Sequence, residues 1–514
     1  MARIETTGEI DVADGSVAVQ PAPRRWLSFV VPDRRVLLAM LAFVILCLVL
    51  VAGSKQSRVG DAGEYEAMAY QFAHLRPPAL TAADITDIDR HFDGLVGRMD
   101  GYRGSVPQYT ELLSGGRYEM IHFWIYPLAA APFVKVMHVL HVPDTYGFAA
   151  LNILLATFAF GVLARRRGVL VAALLFVSPV LWWIDKPHAE VFVFSLLVLG
   201  LLWARDRPHL GLICMALVVA NNVAFGPALA VYGCWLLLVH RRALFDTVWR
   251  RVGFAVAVVT AALHPLYYLW RLGVVDPVTL LEDNSLRMPT VTRLVTPLVD
   301  PYVGLLMWWP VLFGAAAVAG LRRAWTRSIV VRTRAEWAVV WAPFAVALMV
   351  MVGQAQNRQP ASGGSFAMSR YAVWLAPFAV FAFQRHVLRG RWRVGGVGAL
   401  VAVSAVLSVH VARPALPDVW FVARPTFLAT AQGDHAPWLW NPMPQVFLSR
   451  ELRLYREIEP VANASCTKLL AVDGVWPSTC PEPTDVPRKC MVMRFCYANR
   501  SGADYEFVAM KEFG

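Results

Sequence analysis

The stretch RVGDAGEYEAMAYQF, Arg58 to Phe72, sets two carboxylates, Asp61 and Glu64, three residues apart and beside a cation. A carboxylate at the mouth of a membrane cavity can take the proton of an acceptor hydroxyl or hold a divalent cation. The same spacing also satisfies a capping box for a helix with Tyr65, Met68, Ala69 and Phe72 on one face. The pattern alone favours the cap, and one helix can serve both roles. Negative charge developing elsewhere would need cations, and Arg58, Lys186, His188, Arg287, Arg358 and Arg370 border apolar runs where they could supply them. Ionisable groups near a bilayer are costly enough to be functional candidates, and Lys186, His188 and Arg370 rank first. Bland readings compete. Arg58 could anchor at an interface, Glu190 could answer a helix dipole, and His122 could be an ordinary interfacial histidine. Trp182, Trp183, Trp308 and Trp309 suit an aromatic belt better than a sugar platform.

The elements that must position these residues are membrane helices. The chain is 57% hydrophobic and only 16% charged over 514 residues. Its apolar residues recur in blocks of about 17 to 25, the length that spans a bilayer. The expected fold is an all-α polytopic membrane protein with about 11 to 13 transmembrane helices. A polar leader, residues 1–35, precedes the first span at Val36 to Gly53, and it lacks the cleavage site of a signal peptide. Later blocks fall near 121–142, 148–164, 168–184, 189–204, 209–239, 252–270, 304–320, 337–353, 371–384 and 394–411, with the block at 209 breaking at Asn221 and Asn222. The transmembrane domain thus covers 36–411, and residues 54–118 form its first external loop.

The net charge of +12 resides in arginine clusters between the blocks, as cytoplasmic loops collect them, so no nucleic acid is needed to explain it. Those clusters place the N-terminus in the cytoplasm. A cytoplasmic N-terminus and an external C-terminus require an odd number of crossings, whereas twelve blocks are even. The clusters after residue 164 alternate consistently, which confines the error to 54–164, with a broken or half-inserted segment around Lys135 to Asp144.

Four of the seven cysteines, Cys466, Cys480, Cys490 and Cys496, crowd into the last 50 residues. Their spacing lacks the C-x-x-C pairs of common zinc sites, which favours two disulfides in an oxidising compartment. Residues 412–514 then read as a small extracytoplasmic α+β domain, with CMVMRFCY as an alternating run. Cys47, Cys214 and Cys234 lie in apolar runs and suit packing.

Four short stretches, in order, resemble the GT-C superfamily of membrane glycosyltransferases. Gly60-Asp61-Ala62-Gly63-Glu64-Tyr65 is similar to its Gly-Asp-Glu-x-His-Tyr opening, with Ala62 for the second acid and Glu64 where relatives often have His. EMIHFWIYPLAAAPF (Glu119 to Phe133) resembles the His-containing entry to the second helix, and KPHAEVFVF (Lys186 to Phe194) its Pro-x-Glu element. GGSFAMSRYAVWLAPF (Gly363 to Phe378) resembles the closing Arg-Tyr segment. The resemblance implies transfer of a sugar from a polyprenyl-phosphate donor to a glycan, lipid or protein acceptor on the extracytoplasmic face, by one inverting displacement with Asp61 as base. Arg58, Lys186, His188, Glu190, Arg370 and Tyr371 would bind the donor, and Glu64 and His122 would support them. The altered opening leaves a divalent metal possible but not required. The implied location is a cell membrane, of the bacterial inner-membrane kind.

Two other classes remain open: a lipid-linked-sugar flippase or secondary transporter, and a structural assembly protein. The transporter reading is weakened by the lack of duplicated halves and by how few acids lie within spans. No Walker loop, dinucleotide loop or H-E-x-x-H spacing occurs.

Overall fold

The computed structural model describes residues 33–54, 61–91, 113–277 except 205, 280, 291–301, 303–310, 312, 314, 345–353, 369–381, 391–412, 427–435, 460–462, 466–492, 494–501 and 504–510. Arg58, Arg287 and Arg358, together with most of the leader, lie outside the described residues.

Ten helices carry the argument: α1 (Arg34–Gly53), α2 (Ala62–Ala73), α3 (Ala82–His91), α4 (Ile125–Val139), α5 (Thr145–Arg167), α6 (Val169–Phe176), α7 (Glu190–Trp203), α8 (Pro208–Asn221), α9 (Gly226–Phe245) and α10 (Val248–Leu272). The chain is mostly helical among the described residues. Among the described residues, four helical stretches are long and apolar enough to cross a membrane: α1, α5, Val223–Phe245 and α10. The helix Arg391–Ala412 adds a further 22 residues packed on α6.

α7 is apolar around its circumference and is buried from Glu190 to Leu202, so it forms the centre, flanked by α5 and α8. α1 runs antiparallel to α5, with Phe43 stacked on Phe160 at 5.0 Å and Met40 against Gly161. Arg34 and Arg35 therefore lie at the same end as Arg165, Arg166 and Arg167, as the charge pattern requires.

α4, like α7 and α8, is an apolar helix shorter than the four long ones. Its 15 residues fall short of the roughly 20 that cross a bilayer, and it packs on α2 and α5. Its seam with α5 is so close that a Cβ at Gly147 would stand 2.6 Å from the Val134 nitrogen. A turn separates α4 from α5, where His141 has a positive φ of 56°.

Three sequence expectations need correction. The block 168–184 is not one helix: α6 ends at Phe176, and a 3-10 turn, Pro179–Trp183, follows. Pro179 has no N–H to donate and steers Ser178 away from helical angles. Ser178 takes an extended backbone and caps the turn instead. The block 371–384 is likewise only a helical turn, Arg370–Val373, followed by a 3-10 segment, Ala376–Phe381, that includes Pro377. In the tail, CMVMRFCY divides between a short helix, Arg488–Val492, and a strand. The break at Asn221 and Asn222 is as expected, with the Asn222 side chain capping the turn that leads into α9.

The tail's sheet has the order β3-β4-β5-β6, with every neighbour antiparallel: β3 (Val461–Ala462), β4 (Lys468–Val472), β5 (Phe495–Ser501) and β6 (Asp504–Met510). Cys466 bonds to Cys480 and Cys490 to Cys496, closing loops of sequence separation 14 and 6. A small hairpin, β1 (Leu113–Ser114) with β2 (Arg117–Tyr118), precedes α4. It is pinned to the end of α10, where Arg271 and Tyr267 both bind the Glu119 carboxylate.

Candidate active site

Asp61 stands at the N-cap of α2, yet its side chain makes no capping hydrogen bond. The local pattern that favoured a cap is overridden by two partners that are distant in sequence. Arg370 donates to Asp61 Oδ2, and His122 Nε2 lies 3.2 Å from the same oxygen. The helix is not amphipathic either, because every residue from Ala62 to Gln71 is buried.

Glu64, one turn along, meets the same imidazole from its other side. His122 Nδ1 and the His122 backbone N–H are each 3.2 Å from Glu64 Oε2. His122 lies just ahead of α4 and bridges the two carboxylates, so it is not a bystander at an interface. Glu64 Oε1 is buried without a hydrogen-bond partner.

Arg370 extends the constellation to α7. Its Nε lies 3.9 Å from Glu190 Oε1, and the other oxygen of Glu190 is 2.8 Å from His188 Nδ1. The Arg370 guanidinium also sits 5.2 Å from the centre of the Tyr371 ring and donates to the Tyr371 hydroxyl at 3.4 Å. A backbone bond from Ser369 N to Val303 O, 2.9 Å, sets the start of that helical turn. Asp61, Glu64, His122, His188, Glu190, Arg370 and Tyr371 are thus brought together from four separate stretches of chain.

Lys186 is placed beside this group but engaged elsewhere. It is 4% exposed, and its ammonium donates to Asp185 Oδ1 at 2.9 Å and to the Trp182 carbonyl at 2.7 Å while lying over the Trp182 ring. Asp185 also accepts from Ser54 just past α1, at 2.7 Å. This pair ties the exit of α1 to the segment that carries His188.

Asn152 and Tyr126, which sequence reading passed over, hold the frame together with Tyr65. Asn152 on α5 donates to the carbonyls of Trp183, Ile184 and Lys186 at 3.3, 3.4 and 3.2 Å, and accepts from the Tyr126 hydroxyl at 3.2 Å. Tyr65 packs its ring against His122, Tyr126 and His188, at 5.5, 5.4 and 6.2 Å between centroids. Asn152 and Tyr126 lie inside apolar blocks, where nothing in the local pattern separates them from packing residues. Only Tyr65 carried a signal, as the aromatic of the opening motif.

The electrostatics follow from these contacts. Burial opposes ionisation of Asp61, but Arg370 and His122 outweigh it and hold the carboxyl well below the usual range. Burial also disfavours the His122 imidazolium, yet Asp61 and Glu64 raise it well above an ordinary histidine. The resting site is therefore an ionised carboxylate neutralised by adjacent cations. Asp61, Glu64 and His122 have donor types that suit a divalent metal. Both nitrogens of His122 already face carboxylates, and a guanidinium stands where a metal on Asp61 would compete, so the residues do not fit one at Asp61.

No family profile and no curated protein matches the chain. The solved structure of ArnT from Cupriavidus metallidurans bound to undecaprenyl phosphate is similar to it at 13% identity with a TM-score of 0.39, over 71% of this chain and 63% of that one. The chain thus spans less than two thirds of that protein, and a likeness of this extent carries no functional weight.

Proposed function

We propose that the protein is an integral-membrane glycosyltransferase of the GT-C kind, moving a sugar from a polyprenyl-phosphate donor to an acceptor hydroxyl on the extracytoplasmic face. The observation that carries this reading is the buried Asp61 carboxylate, held ionised by Arg370 and His122 at the meeting point of the stretches whose sequences resemble that superfamily.

The chemistry needs a base for the hydroxyl and cations for the departing phosphate. In the resting site Asp61 and Arg370 satisfy each other, and Asp61 is a weak base because its charge is compensated. A donor phosphate is a second anion for Arg370. When the guanidinium turns toward it, Asp61 loses part of that compensation and its basicity rises just as the acceptor needs it. The acceptor oxygen then bonds to the anomeric carbon from the face opposite the phosphate. Its proton passes to Asp61, and the electron pair of the breaking carbon–oxygen bond leaves with the phosphate, inverting the centre. Glu190 holds His188 and stands near Arg370, orienting the cation between its two positions. Glu64 keeps His122 aimed at Asp61.

The flippase reading uses the same charges without a base, and reconstitution separates the two. Purified protein in vesicles is offered a mixture of polyprenyl-phosphate sugars and candidate acceptors. The transferase yields glycosylated acceptor and free polyprenyl phosphate. Protein-dependent movement of the lipid between leaflets without sugar transfer overturns the reading. The disulfide-bearing tail is assigned the choice of acceptor; its removal is expected to change acceptor use before donor binding, and unchanged acceptor use contradicts that assignment.

A further inference from the structure

At the far end of α2, away from Asp61, the chain gathers a second group of ligand-type side chains. Asp144 precedes α5, but its carboxylate does not cap that helix. It turns instead toward two histidines: His91 Nε2, the last residue of α3, lies 3.0 Å from Asp144 Oδ2, and His138 Nδ1, in the last turn of α4, lies 3.9 Å from Asp144 Oδ1. The Asp144 side chain is only 4% exposed, whereas those of His91 and His138 are 28% and 35% exposed, which leaves the group open to solvent on the histidine side. One ligand atom from each of the three residues lies within 4.8 Å of the others.

We infer that His91, His138 and Asp144 form a binding site for a divalent transition-metal ion of the zinc type, and that it clasps α3 to the α4–α5 turn. Two imidazoles and one carboxylate suit such an ion, which prefers tetrahedral sites with nitrogen at about 2.0–2.1 Å and carboxylate oxygen at about 2.0–2.2 Å. That geometry sets ligand atoms about 3.3 Å apart, and side-chain rotation covers the difference from the observed spacing. Three ligands leave a fourth position, and His74 is near enough to offer it: its ring centroid is 5.4 Å from that of His138. His74 Nδ1 lies 2.8 Å from the Tyr70 carbonyl, and because a carbonyl only accepts, Nδ1 carries the hydrogen. The other nitrogen, Nε2, is then left with its lone pair when the ring is neutral, the outer-sphere arrangement that prepares a histidine for metal.

The site bears on the catalytic end through α2. The Tyr70 ring packs on His74 and His91 at 4.3 and 4.7 Å, so the ion would brace the helix whose first turn carries Asp61 and Glu64. Nine residues separate Asp61 from Tyr70, about 14 Å of helix, so this metal would position α2 and would not touch the reacting atoms.

The test uses tag-free full-length protein in detergent, stripped with a chelator and titrated with Zn²⁺ or Co²⁺. Elemental analysis is expected to give one metal per chain, with Co²⁺ showing the visible bands of a four-coordinate site. The double variant His91→Ala/His138→Ala is expected to lose affinity at least a hundredfold. Absence of stoichiometric metal, or equal binding by the double variant, overturns the inference. In case that variant does not fold, the wild type provides a second readout: Zn²⁺ is expected to slow diethyl pyrocarbonate modification of His91 and His138, mapped by mass spectrometry, at least tenfold. Unchanged modification rates overturn it. None of these readouts depends on sugar transfer, so the metal site and the glycosyltransferase reading fail independently.

Discussion

The Asp61 carboxylate is defined by what neutralises it. Because Arg370 and His122 hold its folded-state pKa well below the unfolded value of about 3.9, its ionisation adds stability that is complete above that value and is lost as pH falls through the folded value. Asp61→Asn removes one partner of a buried pair, at a cost of about 3–5 kcal/mol. Thermal unfolding of wild type and variant is expected to differ by a constant amount from about pH 5 to 6.5, and to converge as pH falls below about 3.9. A gap that closes near pH 6 would contradict the assignment. The acids and cations of this site were legible in the sequence because each interrupts or borders an apolar run, where charge is conspicuous. The capping box was misleading for a related reason: it tests only neighbours in sequence, whereas the partners of Asp61 come from residues 122 and 370.

At the scale of elements, the 183–188 segment keeps its course because Asn152 binds three of its carbonyls from one side chain. Asn152→Ala leaves those buried acceptors without that donor and is expected to cost about 1–3 kcal/mol. His188 sits at the end of the same segment, so the variant is also expected to bind donor more weakly, measured by equilibrium binding of a polyprenyl-phosphate sugar. Unchanged donor affinity would detach the segment from the site. Helix limits were readable where proline or asparagine punctuates the chain, as at Asn221 and Asn222. They were misread where apolar character continues through a break, as at Pro179 and Pro377, because hydropathy counts apolar residues without regard to backbone conformation.

Among the described residues, the arginines at 34–35, 165–167 and 250–251 lie at one end and the ionised site at the other. Arg166 pairs with Asp206 in the α7–α8 connection, and His209 nearby packs on Gly253, close to the basic α9–α10 turn. Cysteines introduced at Arg167 and Arg242 are expected to resist a membrane-impermeant maleimide in intact cells and to react after permeabilisation. Labelling of either in intact cells would reverse the proposed topology. The antiparallel pairing of α1 with α5 could not be read from composition, which does not report which helices lie side by side.

The central claim is that Asp61 accepts the proton of the sugar acceptor. Its most direct test is single-turnover transfer from a bound polyprenyl-phosphate sugar, comparing wild type with an Asp61→Asn protein that retains its helical signature and donor binding. General-base catalysis predicts a rate lower by about 10²–10⁴-fold with donor affinity changed far less. Transfer at the wild-type rate would contradict the account.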